Sequence, residues 1–230
     1  MTRSFDRLAA VYDWLELLAF AGTLRRSQDS LLSELPSCGR ALLVGGGTGV
    51  FLEQLARHSD AEIVCIDISP AMLARSEARI RRQLPEALSR IRFVEASAAE
   101  FANETPFDLI CTMCVLDCFD EPDLAIVMDS LVAQLAPDGC WLFHDFEPQG
   151  PVGLSVVWLL YRFFRLTVAI SATRLPDLPA AFAARGFAEF ASRREITGLV
   201  VSRLYRFEIG KLPQGRHSTA KQIEPVFGAR

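Results

Sequence analysis

The run Leu42-Leu43-Val44-Gly45-Gly46-Gly47-Thr48-Gly49-Val50, continued by Phe51, Leu52 and Leu55, leaves this chain few ways to fold. Apolar residues, a glycine turn and then apolar residues at helical spacing read as a buried strand that turns into a helix. Glycines in such a turn let the backbone approach a ligand with no Cβ in the way. The helix start behind them offers free N–H groups and the positive end of a dipole to a carboxylate or phosphate. A dinucleotide-binding turn carries Gly-x-Gly-x-x-Gly or Ala, and counted from Gly45 its third position falls on Val50. The spacing present is Gly45-x-Gly47-x-Gly49, which counts against a nicotinamide dinucleotide.

The next strand strengthens a nucleotide reading. Ala61-Glu62-Ile63-Val64-Cys65-Ile66-Asp67 is a β-rich run that ends in a carboxylate. Asp67 falls about twenty positions after the glycine turn, where a Rossmann-type fold keeps the acid that binds ribose hydroxyls. A carboxylate has two acceptor oxygens for those two protons. Ser69-Pro70 then opens a helix, serine as N-cap and proline at the first helical position.

The rest of the chain alternates in the same way. Ile91–Val94 and Phe107–Cys118 carry further strands, a helix follows over Pro122 to Leu135, and Pro137-Asp138-Gly139 signals a turn. A fifth strand follows from Cys140 to Pro148. Leu178 to Phe187 reads as a short helix closed by a glycine, and Phe187–Arg194 with Gly198–Phe207 as an antiparallel pair. Alternation of this kind predicts an α/β fold with a mostly parallel sheet. Ahead of it, Leu8, Val11, Tyr12, Leu15, Leu18 and Ala19 form a helical apolar stripe, and a second helix runs from Thr23 to Leu35. The expected organisation is a helical cap over 1–36, a ligand-binding domain over 37–210 and a tail over 211–230.

Composition excludes several classes. Half of the 230 residues are hydrophobic and 23% are charged, so the chain has material for one full core. A net charge of −4 argues against nucleic acid as a partner. Arg75, Arg79, Arg81 and Arg82 read as a solvated helix face before they read as a lipid-headgroup patch, so membrane contact is peripheral at most. The six cysteines sit in or beside apolar runs, and Cys111-x-x-Cys114 has no second pair to complete a metal site. A reducing, cytoplasmic location is expected from reduced cysteines and from the charges that interrupt the N-terminal apolar pattern. Nothing separates a monomer from a homodimer.

The glycine turn, Asp67, the Glu95-Ala96-Ser97 stretch, the Phe107-Asp108 strand and the strand to Asp145 stand in an order that resembles the class I S-adenosylmethionine-dependent methyltransferases. The likeness covers roughly residues 40 to 146. Phe5-Asp6-x-x-Ala9-x-x-Tyr12-Asp13 is similar to the cap of the ubiquinone/menaquinone C-methyltransferase-like small-molecule group. The resemblance implies a Rossmann-like seven-stranded sheet of order 3-2-1-4-5-7-6, helices on both faces and strand seven antiparallel. It implies S-adenosylmethionine as cofactor, held by Gly45, Gly46, Gly47, Thr48 and Gly49, with Asp67 on the ribose. Ile68 and Met72 would flank the adenine, Ser97 and the Ala98 N–H would serve its ring, and Met113 would stand on the methyl side. Two departures are visible: Ser97 where the family commonly has aspartate, and Leu43 where it usually has an acid for the methionine ammonium.

The aromatic segment from Val156 to Leu166 falls between strands five and six, where related methyltransferases insert a substrate-covering helix. A hydrophobic lid over about 150–175 would bring Trp158 and Tyr161 to the acceptor, with Tyr12 from the cap; core packing is the competing reading. His144 is the first candidate base for an acceptor that must lose a proton, with Asp145 and Asp117 beside it and Glu147 as an alternative. Strand alternation sends His144 and Asp145 to opposite faces. The expected function is methyl transfer to a small hydrophobic acceptor, aromatic, quinone-like or lipid-like. The alternative is a non-catalytic or atypical S-adenosylmethionine-binding protein that kept the fold.

Overall fold

In the computed structural model, residues 28–148, 150, 153–155, 175–195 and 198–208 are described. The strands are β1 (Arg40–Val44), β2 (Glu62–Asp67), β3 (Ile91–Glu95), β4 (Phe107–Met113), β5 (Leu135–Phe146), β6 (Phe187–Glu195) and β7 (Val200–Phe207). Between them lie α1 (Val50–His58), α2 (Pro70–Gln83), α3 (Glu121–Gln134) and α4 (Leu178–Ala184). One seven-stranded sheet results, in the order β3-β2-β1-β4-β5-β7-β6. β1 pairs parallel with both β2 and β4, and β7 runs antiparallel between β5 and β6. The chain leaves β1 toward β2 and later returns to its other side as β4. That reversal opens a crevice at the carboxyl ends of β1 and β4, the place where open α/β sheets bind ligands.

Both faces of the sheet are apolar, so the central strands read as nearly continuous hydrophobic runs. On one face Leu42, Ile110, Trp141, Phe143 and Tyr205 pack against Leu124, Val127, Met128 and Leu131 of α3 and Phe182 of α4. On the other, Leu43, Cys65, Cys111, Leu142 and Leu204 meet Phe51, Leu52 and Leu55 of α1 and Leu73 and Ile80 of α2. Each fully buried aliphatic or aromatic side chain contributes about 1.5–3 kcal/mol. Phe182 stacks on Tyr205 at 4.1 Å between centroids and meets Trp141 edge-on at 5.1 Å. The Trp141 indole N–H is not left bare, since it donates to Thr112 Oγ1 at 3.0 Å.

Local signals set the element ends. Ser69 Oγ accepts the Met72 N–H at 3.3 Å and caps α2, with Pro70 as its first residue. Gly186, at φ 79°, terminates α4 by returning its N–H to Ala183 O. Asp108 takes a structural part, accepting the N–H groups of Gly39 and Arg40 ahead of β1. β5 differs from the sequence reading, because it begins at Leu135 and not at Cys140. Leu135 pairs with Phe107 and Cys140 with Leu109, so residues 136–139 bulge out of the ladder where a turn was expected. Leu32–Glu34 forms a single 3-10 turn at the end of the second expected N-terminal helix. Among the basic residues of α2, Arg79 pairs with Glu53 at 2.8 Å and Arg81 with Glu77 at 2.6 Å.

Candidate cofactor and acceptor site

The glycine turn leaves β1 with the Gly45 N–H bonded to Ile66 O at 3.0 Å, which fixes it against β2. Gly49 ends the turn at φ 80°, and a Cβ there would lie 2.8 Å from the Ser76 Cα, so only glycine lets α1 and α2 approach this closely. Gly47, at φ 52°, is different: a Cβ would meet nothing within 4 Å. The turn is therefore packed underneath and open at its crest. Ser76, inside α2, donates from Oγ to Gly47 O at 3.0 Å and holds that crest in place.

Asp67 stands at the end of the neighbouring strand. Its Oδ2 accepts the Gly47 N–H at 3.4 Å and its Oδ1 the Ser69 N–H at 2.9 Å. Burial raises its carboxyl above the usual range, while the backbone N–H groups of Ser69, Gly47 and Ile68 pull it back. Ile68 follows as an exposed apolar side chain, 39% accessible, and Met72 is buried beneath the start of α2. Ser97 Oγ accepts the Ala99 N–H at 3.2 Å beside the buried Ala98. Thr48 is half-buried on the turn, and Met113 is buried at the end of β4. The cofactor residues named from the sequence thus lie along the carboxyl ends of β1, β2, β3 and β4. Leu43 is fully buried in the core on the α1 face and brings no charge to this edge.

The residues named for the chemistry separate into two groups. Asp145 and Asp117 meet: Asp145 Oδ2 accepts the Asp117 N–H at 3.1 Å, and Asp145 Oδ1 accepts the Phe146 N–H at 2.9 Å. Burial first, and the adjoining Asp117 carboxyl second, push the Asp145 carboxyl well above its ordinary range. Cys118 Sγ lies 3.4 Å from Asp117 Oδ1, and burial together with these carboxylates pushes the Cys114 and Cys118 thiols up. His144 follows the alternation to the opposite face. It is completely buried, Nδ1 lies 2.8 Å from Ser202 Oγ, and Nε2 has no hydrogen-bond partner among the described residues. Burial lowers it to about 3, so the ring is neutral at ordinary pH.

Glu147 is taken up elsewhere. Arg203 and Arg194 both bind it, and their hydrogen bonds outweigh burial and hold its carboxyl below the usual range. Glu147 is an ion-pair partner in this arrangement. Among the described residues no group of three or more His, Cys, Asp or Glu side chains is arranged to hold a metal, and no helix is long and apolar enough to cross a membrane. Tyr12, Trp158 and Tyr161 lie outside the described residues, as do the tail and most of the segments 1–36 and 150–175.

Sequence reasoning passed over Ser76 and Ser202 and named Cys114 only as half of a Cys-x-x-Cys pair. Ser76 and Ser202 are small polar side chains at buried positions, and a polar residue on an apolar face was the signal for both. Cys114 takes φ 54°, the left-handed region, directly after β4. No sequence pattern announces that strain.

Residues 42–141 match the family model described as a methyltransferase domain. The chain is 32% identical over 206 residues to the ubiquinone/menaquinone biosynthesis C-methyltransferase UbiE of Syntrophotalea carbinolica, covering 84% of this chain and 83% of that one. The chain belongs to the class I S-adenosylmethionine-dependent methyltransferases of the UbiE-like kind. A trans-aconitate 2-methyltransferase of Methylobacterium nodulans is 35% identical over 134 residues, 57% of this chain and 48% of the relative. The chain spans about half the length of the first curated relatives it matches. The same methyltransferase fold is seen in the Burkholderia thailandensis 1,6-didemethyltoxoflavin-N1-methyltransferase, solved with S-adenosylhomocysteine: TM-score 0.65, 19% identity, 90% of this chain and 87% of that one.

Proposed function

We propose that this methyltransferase-family chain transfers a methyl group from S-adenosylmethionine to a small hydrophobic acceptor, aromatic, quinone-like or lipid-like. The observation that supports it is the pairing of an open crest at Gly47 with the Asp67 carboxylate 3.4 Å from its N–H. A glycine cradle with room above it suits the amino-acid end of the cofactor, and a strand-end carboxylate suits the ribose. Ile68, Met72, Ser97 and Ala98 would border the adenine, and Met113 the methyl side. With Leu43 in the core, the methionine ammonium would rely on backbone carbonyls of the turn.

When bound, S-adenosylmethionine supplies an electrophilic methyl group on a cationic sulfur. The chain's part is to hold the acceptor in line with that group in a site closed to water. His144, neutral and with an unpartnered Nε2, takes the proton of an acceptor that has one to lose. The Asp117–Asp145 pair, on the other side of β5, retains a proton between two carboxyls and orients the acceptor by hydrogen bonding. Tyr12, Trp158 and Tyr161 would close over it.

Relatives carry the names of enzymes for trans-aconitate, malonyl-[acyl-carrier protein] and demethylmenaquinone, so the acceptor panel should span acids and quinols. Incubation of the full chain with S-adenosylmethionine and each candidate, with release of S-adenosylhomocysteine as readout, tests the proposal. Turnover with a quinol or aromatic acceptor is expected; turnover with trans-aconitate alone overturns the hydrophobic acceptor. The loss of the acid at Leu43 favours a second reading, a protein that binds the cofactor without turnover, and binding with no product from any acceptor would support it.

A further inference from the structure

His144 and Ser202 face each other across the β5–β7 ladder, paired in register, with Nδ1 and Oγ 2.8 Å apart. Two arrangements of hydrogen satisfy that contact. In one, the serine hydroxyl donates to Nδ1 and the ring proton sits on Nε2. In the other, Nδ1–H donates to Oγ and Nε2 carries only a lone pair. Nε2 is completely buried and has no partner among the described residues. A buried N–H without an acceptor is rarer than a bare acceptor, because a donor has a single direction in which to be satisfied. The second arrangement is therefore the stable one.

Position adds to the argument. His144 pairs in register with Met113, and its carbonyl accepts the Cys114 N–H at 2.8 Å. Met113 O in turn lies 3.5 Å from where a Cβ on Gly45 would stand. The imidazole is thus on the strand that adjoins the glycine turn's own neighbour, on the sheet face that α1 covers. We propose that Ser202 is a positioning residue: it holds His144 in the Nδ1–H tautomer, so that the buried, unpartnered Nε2 keeps its lone pair as the proton acceptor for the methyl-accepting group. This rests on the methyl-transfer reading above and adds to it the residue that sets the base.

The acceptor's O–H bond breaks and its proton forms a bond with the Nε2 lone pair. The electron pair left on oxygen makes the new bond to the methyl carbon directly or, in a quinol, through the adjoining ring carbon, whose hydrogen then leaves as the hydroxyl re-forms; the pair of the broken carbon–sulfur bond stays on sulfur. One positive charge leaves the sulfur as one appears on the imidazole, so the site's net charge is unchanged. A buried ring can accept a proton under that condition, where burial alone opposes it.

The test uses the full chain without cofactor, labelled with ¹⁵N, whose three histidines make ring assignment direct. Ring nitrogen shifts at pH 7 should show His144 as the Nδ1–H tautomer; Ser202→Ala should move it to Nε2–H or to a mixture, and Ser202→Thr should restore it. In turnover with S-adenosylmethionine and demethylated menaquinol, Ser202→Ala should lower kcat about tenfold with KM for the cofactor unchanged, and Ser202→Thr should recover most of it. A wild-type Nε2–H tautomer, or no change of tautomer in Ser202→Ala, overturns the inference. Unchanged kcat in both Ser202→Ala and His144→Gln overturns the base role. The predicted tautomers together with no wild-type turnover would support the Ser202–His144 arrangement and count against the methyl-transfer reading.

Discussion

Asp145, at the end of β5, receives the backbone N–H of Asp117 at 3.1 Å, and the two carboxyl groups are also joined side chain to side chain. Two carboxyls form a hydrogen bond only if one of them keeps its proton. The pair therefore ties the turn after β4 to β5 by a shared hydrogen, and burial favours keeping it.

That shared proton fixes a sign. The folded-state value of Asp145 is raised above its unfolded 3.8, so the pair's contribution to stability is fully present below about pH 4 and is lost as pH rises through the raised value. Asp117→Asn replaces the proton with a permanent amide donor, while its Oδ1 can still accept from Cys118. The variant should match wild type near pH 4 and exceed it by about 1 kcal/mol at pH 8. Urea unfolding at the two pH values checks this, and parallel pH profiles would contradict it.

His144 works in the opposite direction. Its folded value of about 3 lies below the unfolded 6.5, so its contribution is present above pH 6.5 and is lost as pH falls toward 3. The loss over that range is on the order of a few kcal/mol for so large a shift. His144→Gln should remove this acid sensitivity, and Asp117→Asn should make it steeper by removing the opposing carboxyl effect. Stability measured from pH 7 to 4 for the three proteins decides whether the two slopes cancel in wild type.

Arg203 is 6% exposed and binds Glu147 and Glu189, while Arg194 shares Glu147. Arg203→Met would leave both glutamates short of a partner at the end of β5. A loss of about 2 kcal/mol in urea unfolding is expected. Glu147→Gln should cost less than Arg203→Met, because it leaves Arg203 with Glu189.

The order of strands in the sheet came from the family resemblance, while the succession of elements along the chain was legible because glycine turn, Asp67, Ser69-Pro70 and the β-rich runs are local signals that agree with one another. The antiparallel last pair was legible for the same reason. The start of β5 was not: Pro137-Asp138-Gly139 does break the ladder, but Leu135 already pairs with Phe107, and only the tertiary fold decides that. Within the site, Asp67 and the glycines named from spacing lie along one edge of the sheet. Alternation separated His144 from Asp145 but could not reveal that Asp117 folds back onto Asp145, since that contact depends on the turn after the strained Cys114. Ser76 and Ser202 were missed because their one signal, a lone serine on an apolar face, does not say which group the hydroxyl meets.

The two glycines at the turn should respond differently to a methyl group. Gly49→Ala forces Cβ to 2.8 Å from the Ser76 backbone at φ 80°, and a destabilisation of about 2 kcal/mol or more is expected. Gly47→Ala meets no atom within 4 Å and should cost only about 1 kcal/mol, from its left-handed backbone. Thermal melts give the first comparison. Gly47→Ala should nevertheless lose affinity for S-adenosylhomocysteine, because its methyl group occupies the open crest.

The most direct measurement is calorimetric titration of S-adenosylhomocysteine into the full chain and into Asp67→Ala, with circular dichroism confirming the fold of the variant. The wild-type chain should bind with measurable heat, and Asp67→Ala should bind at least about tenfold more weakly, the loss of a charge-assisted hydrogen bond. Absence of wild-type binding at millimolar ligand, or equal affinity in the two proteins, would contradict a cofactor site built from Gly47 and Asp67.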